Sequence, residues 1–220
     1  LAALALHRLA PGRYPVLLES VASGTAQGRW DLLLTTDGSG LQLRADGVTR
    51  DLQGQIQDGD FLAVLDRHWR AQRIPREEPR WPFRGGWALL LDYELAQQVE
   101  PVLKLPLTDR PQPVALALRC PAAILRDRST GDCVAVAETG HHEMLERVAA
   151  DLSAAAQLPE LADWRAPASV EEDEPQRFIE GVTRILEYLA AGDIFQVNLS
   201  RAWRAQFDER SFAVIASLDG

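Results

Sequence analysis

Short apolar runs separated by turn signals fill most of residues 1–140, and that punctuation restricts the fold more than any other feature of the chain. Residues 16–20 and 30–35 are β-compatible runs on either side of Ser23-Gly24-Thr25-Ala26-Gln27-Gly28. Residues 41–44 and 48–50 flank Ala45-Asp46-Gly47, a hairpin signal of the Asp-Gly kind. Residues 114–119 form another run, and 122–127 with 133–138 read as a hairpin around Ser129-Thr130-Gly131-Asp132. Turns this short join antiparallel strands. Helical periodicity breaks in twice. Residues 60–72 place Phe61, Val64, Leu65 and His68 on one side, with Arg67 and Arg70 on the other, and residues 142–157 carry a stripe of Leu145, Val148, Ala149 and Leu152. The expected class is α+β, a largely antiparallel sheet with peripheral helices.

Composition excludes several functions. The 220 residues are 46% hydrophobic and 25% charged, enough to bury the core of one large or two small domains. A net charge of −9 disfavours a nucleic-acid partner, which would demand clustered Lys and Arg. No apolar run has the length of a membrane span, and residues 1–10 are interrupted by His7 and Arg8, so a cytoplasmic protein with no membrane partner is expected. The chain begins at Leu1 rather than a methionine, so its start is not read as native. Cys120 and Cys133 form no CxxC and lie out of register, which predicts two reduced core thiols. His141-His142 reads as a polar helix start, because no HExxH or second cluster supports a metal site.

The second half changes character. Residues 159–175 are rich in Pro, Ala and acids, including Glu171-Glu172-Asp173-Glu174, and read as an exposed linker between a region 1–158 and a region 176–220. The acidic run also stands ahead of a helix beginning near Pro175, where the helix dipole favours negative charge. Phe178, Val182, Ile185, Leu186 and Leu189 then recur at helical steps, and Gly192 is the expected stop. Beyond it Phe195, Val197 and Leu199 alternate with Gln196, Asn198 and Ser200, predicting a strand whose polar face meets either water or a ligand. Upstream, Gly85-Gly86 leads into the apolar run 87–91. That pattern fits a glycine bend before a core strand better than a phosphate loop, since no GxxxxGK[ST] follows.

Two of these segments carry a resemblance. Residues 191–201, AGDIFQVNLSR, resemble the opening of the catalytic domain in the chorismate-utilising enzymes that include aminodeoxychorismate synthase component I and anthranilate synthase component I. The block around Phe83-Arg84-Gly85-Gly86, with its strand ending Tyr93-Glu94-Leu95, resembles the Phe-x-Gly-Gly segment of the same family. Gln196-Val197-Asn198-Leu199-Ser200 is similar to the aminodeoxychorismate synthases rather than to the Gln-Val-Val-x-Ser of anthranilate synthases. The resemblance implies an anthranilate synthase component I-like fold, incomplete here, with 1–158 as its N-terminal region and 176–220 as the start of the catalytic domain.

The same resemblance implies a pocket for tryptophan. Leu17-Leu18-Glu19-Ser20 matches the family's Leu-Leu-x-Ser strand, and Arg29-Trp30-Asp31 its Arg-aromatic-Asp strand. Leu18, Glu19, Ser20, Arg29 and Trp30 are therefore the candidate pocket, with Glu19 facing the ligand's ammonium group and Asn198, with Gln196, bordering the pocket from the catalytic domain. Gln27-Gly28 departs from tight tryptophan binders, which place an aromatic and a small polar residue before the arginine. From the residues alone, Arg29 has Asp31 or Glu19 as ion-pair partner, and Ser20 serves equally as a turn cap.

For the reaction, the resemblance implies that chorismate and Mg²⁺ sit in the later domain and that a glutamine amidotransferase subunit supplies ammonia. Aminodeoxychorismate synthases use a lysine in a PIKGT-like motif, where anthranilate synthases have alanine. Neither motif and none of the Mg²⁺ ligands occurs in residues 1–220, so no catalytic residue is expected here. The rival expectation is a non-catalytic amino-acid-binding or interaction module.

Overall fold

The computed structural model describes residues 3–19, 25, 28–73, 81–105, 111–159 and 166–207. It divides into two compact units, Leu1–Leu158 and Pro159–Gly220.

In the first unit the elements follow the order α1 (Ala3–Leu9), β1 (Val16–Leu18), β2 (Trp30–Thr35), β3 (Gly40–Leu43), β4 (Thr49–Asp51), α2 (Phe61–Ala71) and β5 (Gly86–Leu91). A 3₁₀ turn at Tyr93–Leu95, α3 (Ala96–Val99), β6 (Ala115–Cys120), β7 (Ala122–Asp127), β8 (Cys133–Ala137) and α4 (His142–Ala155) complete it. The eight strands make two antiparallel sheets, ordered β1-β2-β7-β8 and β4-β3-β6-β5. The α+β architecture expected from the sequence is the one observed. Local chemistry sets the boundaries: the Asp60 carboxylate accepts the Ala63 N–H at 2.8 Å and starts α2, and Gly47, at φ 74°, turns the β3–β4 hairpin.

Three clusters form the core. Leu33 and its partner Ile124 pack one face of the first sheet against Leu6, Tyr14, Val148 and Ala155, which brings in α1 and α4. Leu34, Ala123 and Leu125, on the opposite face, pack with Cys120 and Leu118 of the second sheet. Phe61 and Val64 of α2 close over Leu41, Leu43, Ala115 and Ala117. Only Pro121 separates β6 from β7, so one length of chain passes from sheet to sheet at a residue with no N–H to leave unpaired.

That corner explains the paired glycines. Arg119 and Glu138 form an ion pair whose side chains are both buried, and Arg119 also donates to the Gly86 carbonyl at 2.8 Å. Gly85 has φ 128°, and a Cβ there would lie 2.1 Å from Glu138 Oε1. A side chain at Gly85 is excluded by backbone conformation and by the pair beneath it.

Three expectations for this unit are corrected. β5 is no core strand: it is the edge of its sheet, and Leu89, Leu90 and Leu91 are exposed. In α4 the buried positions are Met144, Val148 and Ala155, so the inward face is rotated from the predicted stripe, and Ala149 and Leu152 face outward. Cys120 is a buried thiol, pushed up to about 11 by burial, but Cys133 opens edge strand β8 and is exposed, so only one of the two is a core thiol.

The second unit contains β9 (Val170–Glu172), α5 (Pro175–Ala191) and β10 (Trp203–Ala205). α5 begins with Pro175 in its first turn and ends at Gly192, φ 79°, where Gly192 N–H bonds Leu189 O and Asp193 N–H bonds Tyr188 O. This is the left-handed glycine stop that the periodicity predicts. The strand predicted at 195–199 is not formed: pairing begins only at Trp203, opposite Glu172, and Phe195 is 99% exposed. Residues 195–199 have no ladder partner among the described residues, and without one an extended run is not a strand. Leu199 instead lies over Gly181 of α5. The acidic stretch is likewise more than a linker, because 170–172 pair with β10. Arg201 meets Glu172 at 3.2 Å, Arg204 meets Asp173 at 2.8 Å, and Trp203 Nε1 donates to Glu172 at 2.9 Å. Its negative charge is matched by cations some thirty residues further on.

Candidate functional site

Of the candidate pocket residues, the structure brings Arg29 and Trp30 together at the start of β2. β2 pairs antiparallel with β7, which sets Trp30 opposite Asp127 and Asp31 opposite Arg126. Arg29 reaches across that ladder, donating Nε–H to Asp127 Oδ2 at 2.9 Å, while its guanidinium carbon stands 5.0 Å from the Trp30 ring centroid. Asp127 also accepts the Ser129 N–H at 2.9 Å. Trp81 meets Trp30 edge to face with 6.0 Å between centroids.

These groups border a cavity of about 810 Å³, lined by Arg29, Trp30, Trp81, Asp127, Asp132 and Val134 among others. Aromatic walls suit a planar ring, and the guanidinium and carboxylates at the rim suit a polar end. Arg29 and Asp127 are committed to each other, so the arrangement favours binding over proton transfer.

The ion-pair partner of Arg29 corrects the sequence reading. It is neither Asp31 nor Glu19 but Asp127, whereas Asp31, buried, faces Arg128 at 3.4 Å and Arg126 at 3.9 Å. Leu18, opposite Leu32 and 51% exposed, and Glu19, also exposed, lie at the end of β1 and do not line the cavity. Ser20 and Gln27 fall outside the described residues. Asn198 stands in the second unit, exposed in the unpaired stretch after Gly192. Trp81, Asp127 and Asp132 escaped the sequence reading. Only the pairing of β2 with β7, some 98 residues apart, reveals Asp127, and Trp81 stands beside a proline-broken stretch without periodicity.

The hydrogen bond from Arg29, followed by those from Ser129, holds the Asp127 carboxyl well below the usual carboxylate range. A depressed carboxylate contributes stability that is complete above its unfolded value, about 3.9, and is lost as pH falls through the folded value. Asp127→Asn is therefore expected to lower stability at neutral pH and to flatten its decline below about pH 4. Urea midpoints across pH 2–7 check this, and parallel acid limbs in both proteins would show that the Arg29 pair contributes nothing.

A sequence profile for the family described as chorismate binding enzyme matches residues 24–219. The chain belongs to this family. The chain is 28% identical over 219 residues to anthranilate synthase component 1 of Aquifex aeolicus, an alignment covering 89% of this chain and 43% of that protein. Its fold is similar to the crystal structure of anthranilate synthase component I from Streptococcus pneumoniae TIGR4, with TM-score 0.60 and 19% identity over 93% of this chain and 47% of that one. The chain thus spans less than half the length of either relative. Among the described residues no helix is long and apolar enough to cross a membrane.

Proposed function

We propose that this chain is the N-terminal part of an aminodeoxychorismate synthase component I, which replaces the C4 hydroxyl of chorismate with an amino group to give 4-amino-4-deoxychorismate for para-aminobenzoate and folate synthesis. Gln196-Val197-Asn198-Leu199-Ser200, following the Gly192 helix stop, carries the reading. Membership of the chorismate-binding family supports the substrate class. A glutamine amidotransferase subunit as ammonia source and a cytoplasmic location belong to the same proposal. The second reading, anthranilate synthase component I, is favoured by the names of the two relatives.

Product analysis separates them. The full-length protein, given chorismate, an ammonium salt and Mg²⁺, is expected to form 4-amino-4-deoxychorismate, and anthranilate as the product would establish the second reading. Residues 1–220 alone are expected to give neither. Mg²⁺ belongs to this chemistry, yet among the described residues no three His, Cys, Asp or Glu side chains converge to hold a metal. No step of the reaction is assigned to this chain through it.

The proposal extends to tryptophan or a similar amino acid held near Trp30, with Arg29 and Ser20 as the candidate contacts. The cavity bordered by Trp30 and Trp81, which pack on each other, has the volume for an indole-sized ligand on that side of β2. Titration calorimetry of the full-length protein is expected to show tryptophan binding that Ser20→Ala and Trp30→Ala each weaken at least about tenfold, the loss of one good contact. Unchanged affinity in both variants would remove the pocket.

A further inference from the structure

A second cavity, of about 510 Å³, opens between the turn after α1, the end of β2 and the first turns of α4. Val16 pairs with Leu34, so this cavity lies at the opposite end of β2 from Arg29 and Trp30. Its volume falls in the range of small-molecule sites, roughly 300–1,000 Å³.

Charges of both signs line it. Arg13 is bound to Asp151, but Arg147 has no ion-pair partner among the described residues. Asp37 accepts both the Ser39 N–H and the Ser39 hydroxyl on Oδ1, at 2.9 and 2.7 Å, which leaves Oδ2 available. Glu143 adds a second carboxylate, and Met144 and Ala10 supply apolar wall. α4 starts here with no side-chain cap from His141; Met144 N–H bonds the His141 carbonyl at 3.1 Å, and the His142 and Glu143 N–H groups keep their capacity for an anion.

The decisive observation is Thr35. It lines the cavity, is 1% exposed, and its Oγ1 has no hydrogen-bond partner. Buried hydroxyls in folded proteins are nearly always satisfied, and an orphan beside a cavity marks a place where something else completes the bond. Thr36 accepts the Gly38 N–H at 3.0 Å, which leaves its own hydrogen to donate. A simple anion would meet Asp37 and Glu143, and a simple cation would meet Arg13 and Arg147. Only a molecule carrying both charges satisfies both sets.

We infer that this cavity binds a small zwitterion of the α-amino acid class, with its carboxylate on Arg147 and the α4 N-terminus, its ammonium on Asp37, and Thr35 completing the polar contacts. The site is separate from the one at Trp30, and glycine and L-serine, which carry no indole, are the probes that report on it.

Calorimetry and ligand-observed NMR on the full-length protein test the inference, with acetate and methylammonium as single-charge controls. Glycine or L-serine is expected to bind saturably. Arg147→Gln and Asp37→Asn are each expected to weaken binding at least about tenfold, the loss of one charge-assisted hydrogen bond. Thr35→Val is expected to weaken binding while leaving the melting temperature of the free protein unchanged or higher, because it removes an unpaired buried hydroxyl. A purely structural threonine would lower that temperature instead. The inference fails if neither probe saturates, if binding ignores both charge substitutions, or if acetate or methylammonium competes as well as glycine. The first two results identify a solvent-filled cleft, and the third a site for a simple ion.

Discussion

Truncating Glu138 to alanine is expected to destabilise the first unit by about 3–5 kcal/mol, the usual cost of stranding one member of a buried ion pair. Arg119 is the member left behind. It is 4% exposed, its other contacts are the Gly86 carbonyl and the Trp87 face, and neither neutralises its charge. The pair joins β6 of one sheet to the residue following β8 of the other, so the loss falls on the corner between the sheets. Urea unfolding reads it as a lower midpoint at unchanged slope. Arg119→Met with Glu138→Leu is expected to recover most of the loss, because removing both charges leaves none uncompensated. Gly85→Ala should approach the Glu138→Ala value, since its Cβ would displace Glu138 and φ 128° is strained for any side chain. A Glu138→Ala midpoint within experimental error of the wild type would show that water reaches Arg119.

Asp151→Ala carries the second large effect, about 2–3 kcal/mol, from one buried donor left unsatisfied and one ion pair broken. Tyr14 is fully buried and donates its hydroxyl to Asp151 at 2.6 Å, and Arg13 bonds the same carboxylate. Together they tie the turn after α1 to α4 over the cluster of Leu6, Leu33 and Val148. Tyr14→Phe is expected to cost only about 1 kcal/mol, because Asp151 keeps Arg13 and no buried donor is stranded. Burial, followed by the bond to Asp151, raises the Tyr14 hydroxyl above its ordinary value. Its contribution is therefore complete below about pH 10 and is lost as pH rises toward the folded value. Thermal unfolding from pH 7 to 11 checks both statements: equal losses for Asp151→Ala and Tyr14→Phe would show that Arg13 contributes nothing.

The candidate site divides along the same physical line as these predictions. Arg29 and Trp30 are visible in the sequence through the resemblance of Arg29-Trp30-Asp31 to the family's Arg-aromatic-Asp strand. Their partners are not, since Asp127 and Trp81 arrive through pairings with no local signature. Leu18 and Glu19 are matched by sequence and stand exposed, because the face a strand end presents depends on what covers it. The orphaned Thr35 hydroxyl is equally invisible in a sequence, where a threonine ending an apolar strand looks ordinary.

By itself the sequence determined where several elements start, stop and turn. Asp60 caps α2, Gly47 turns a hairpin and Gly192 ends α5, each through interactions that reach only a few residues. Tertiary structure alone decided which strands became edges, which side of α4 turned inward, and that the acidic stretch at 170–172 pairs with β10. The reason is range: capping and turn energies are local, whereas strand partners, buried ion pairs and the walls of both cavities are set by contacts between residues far apart in the chain.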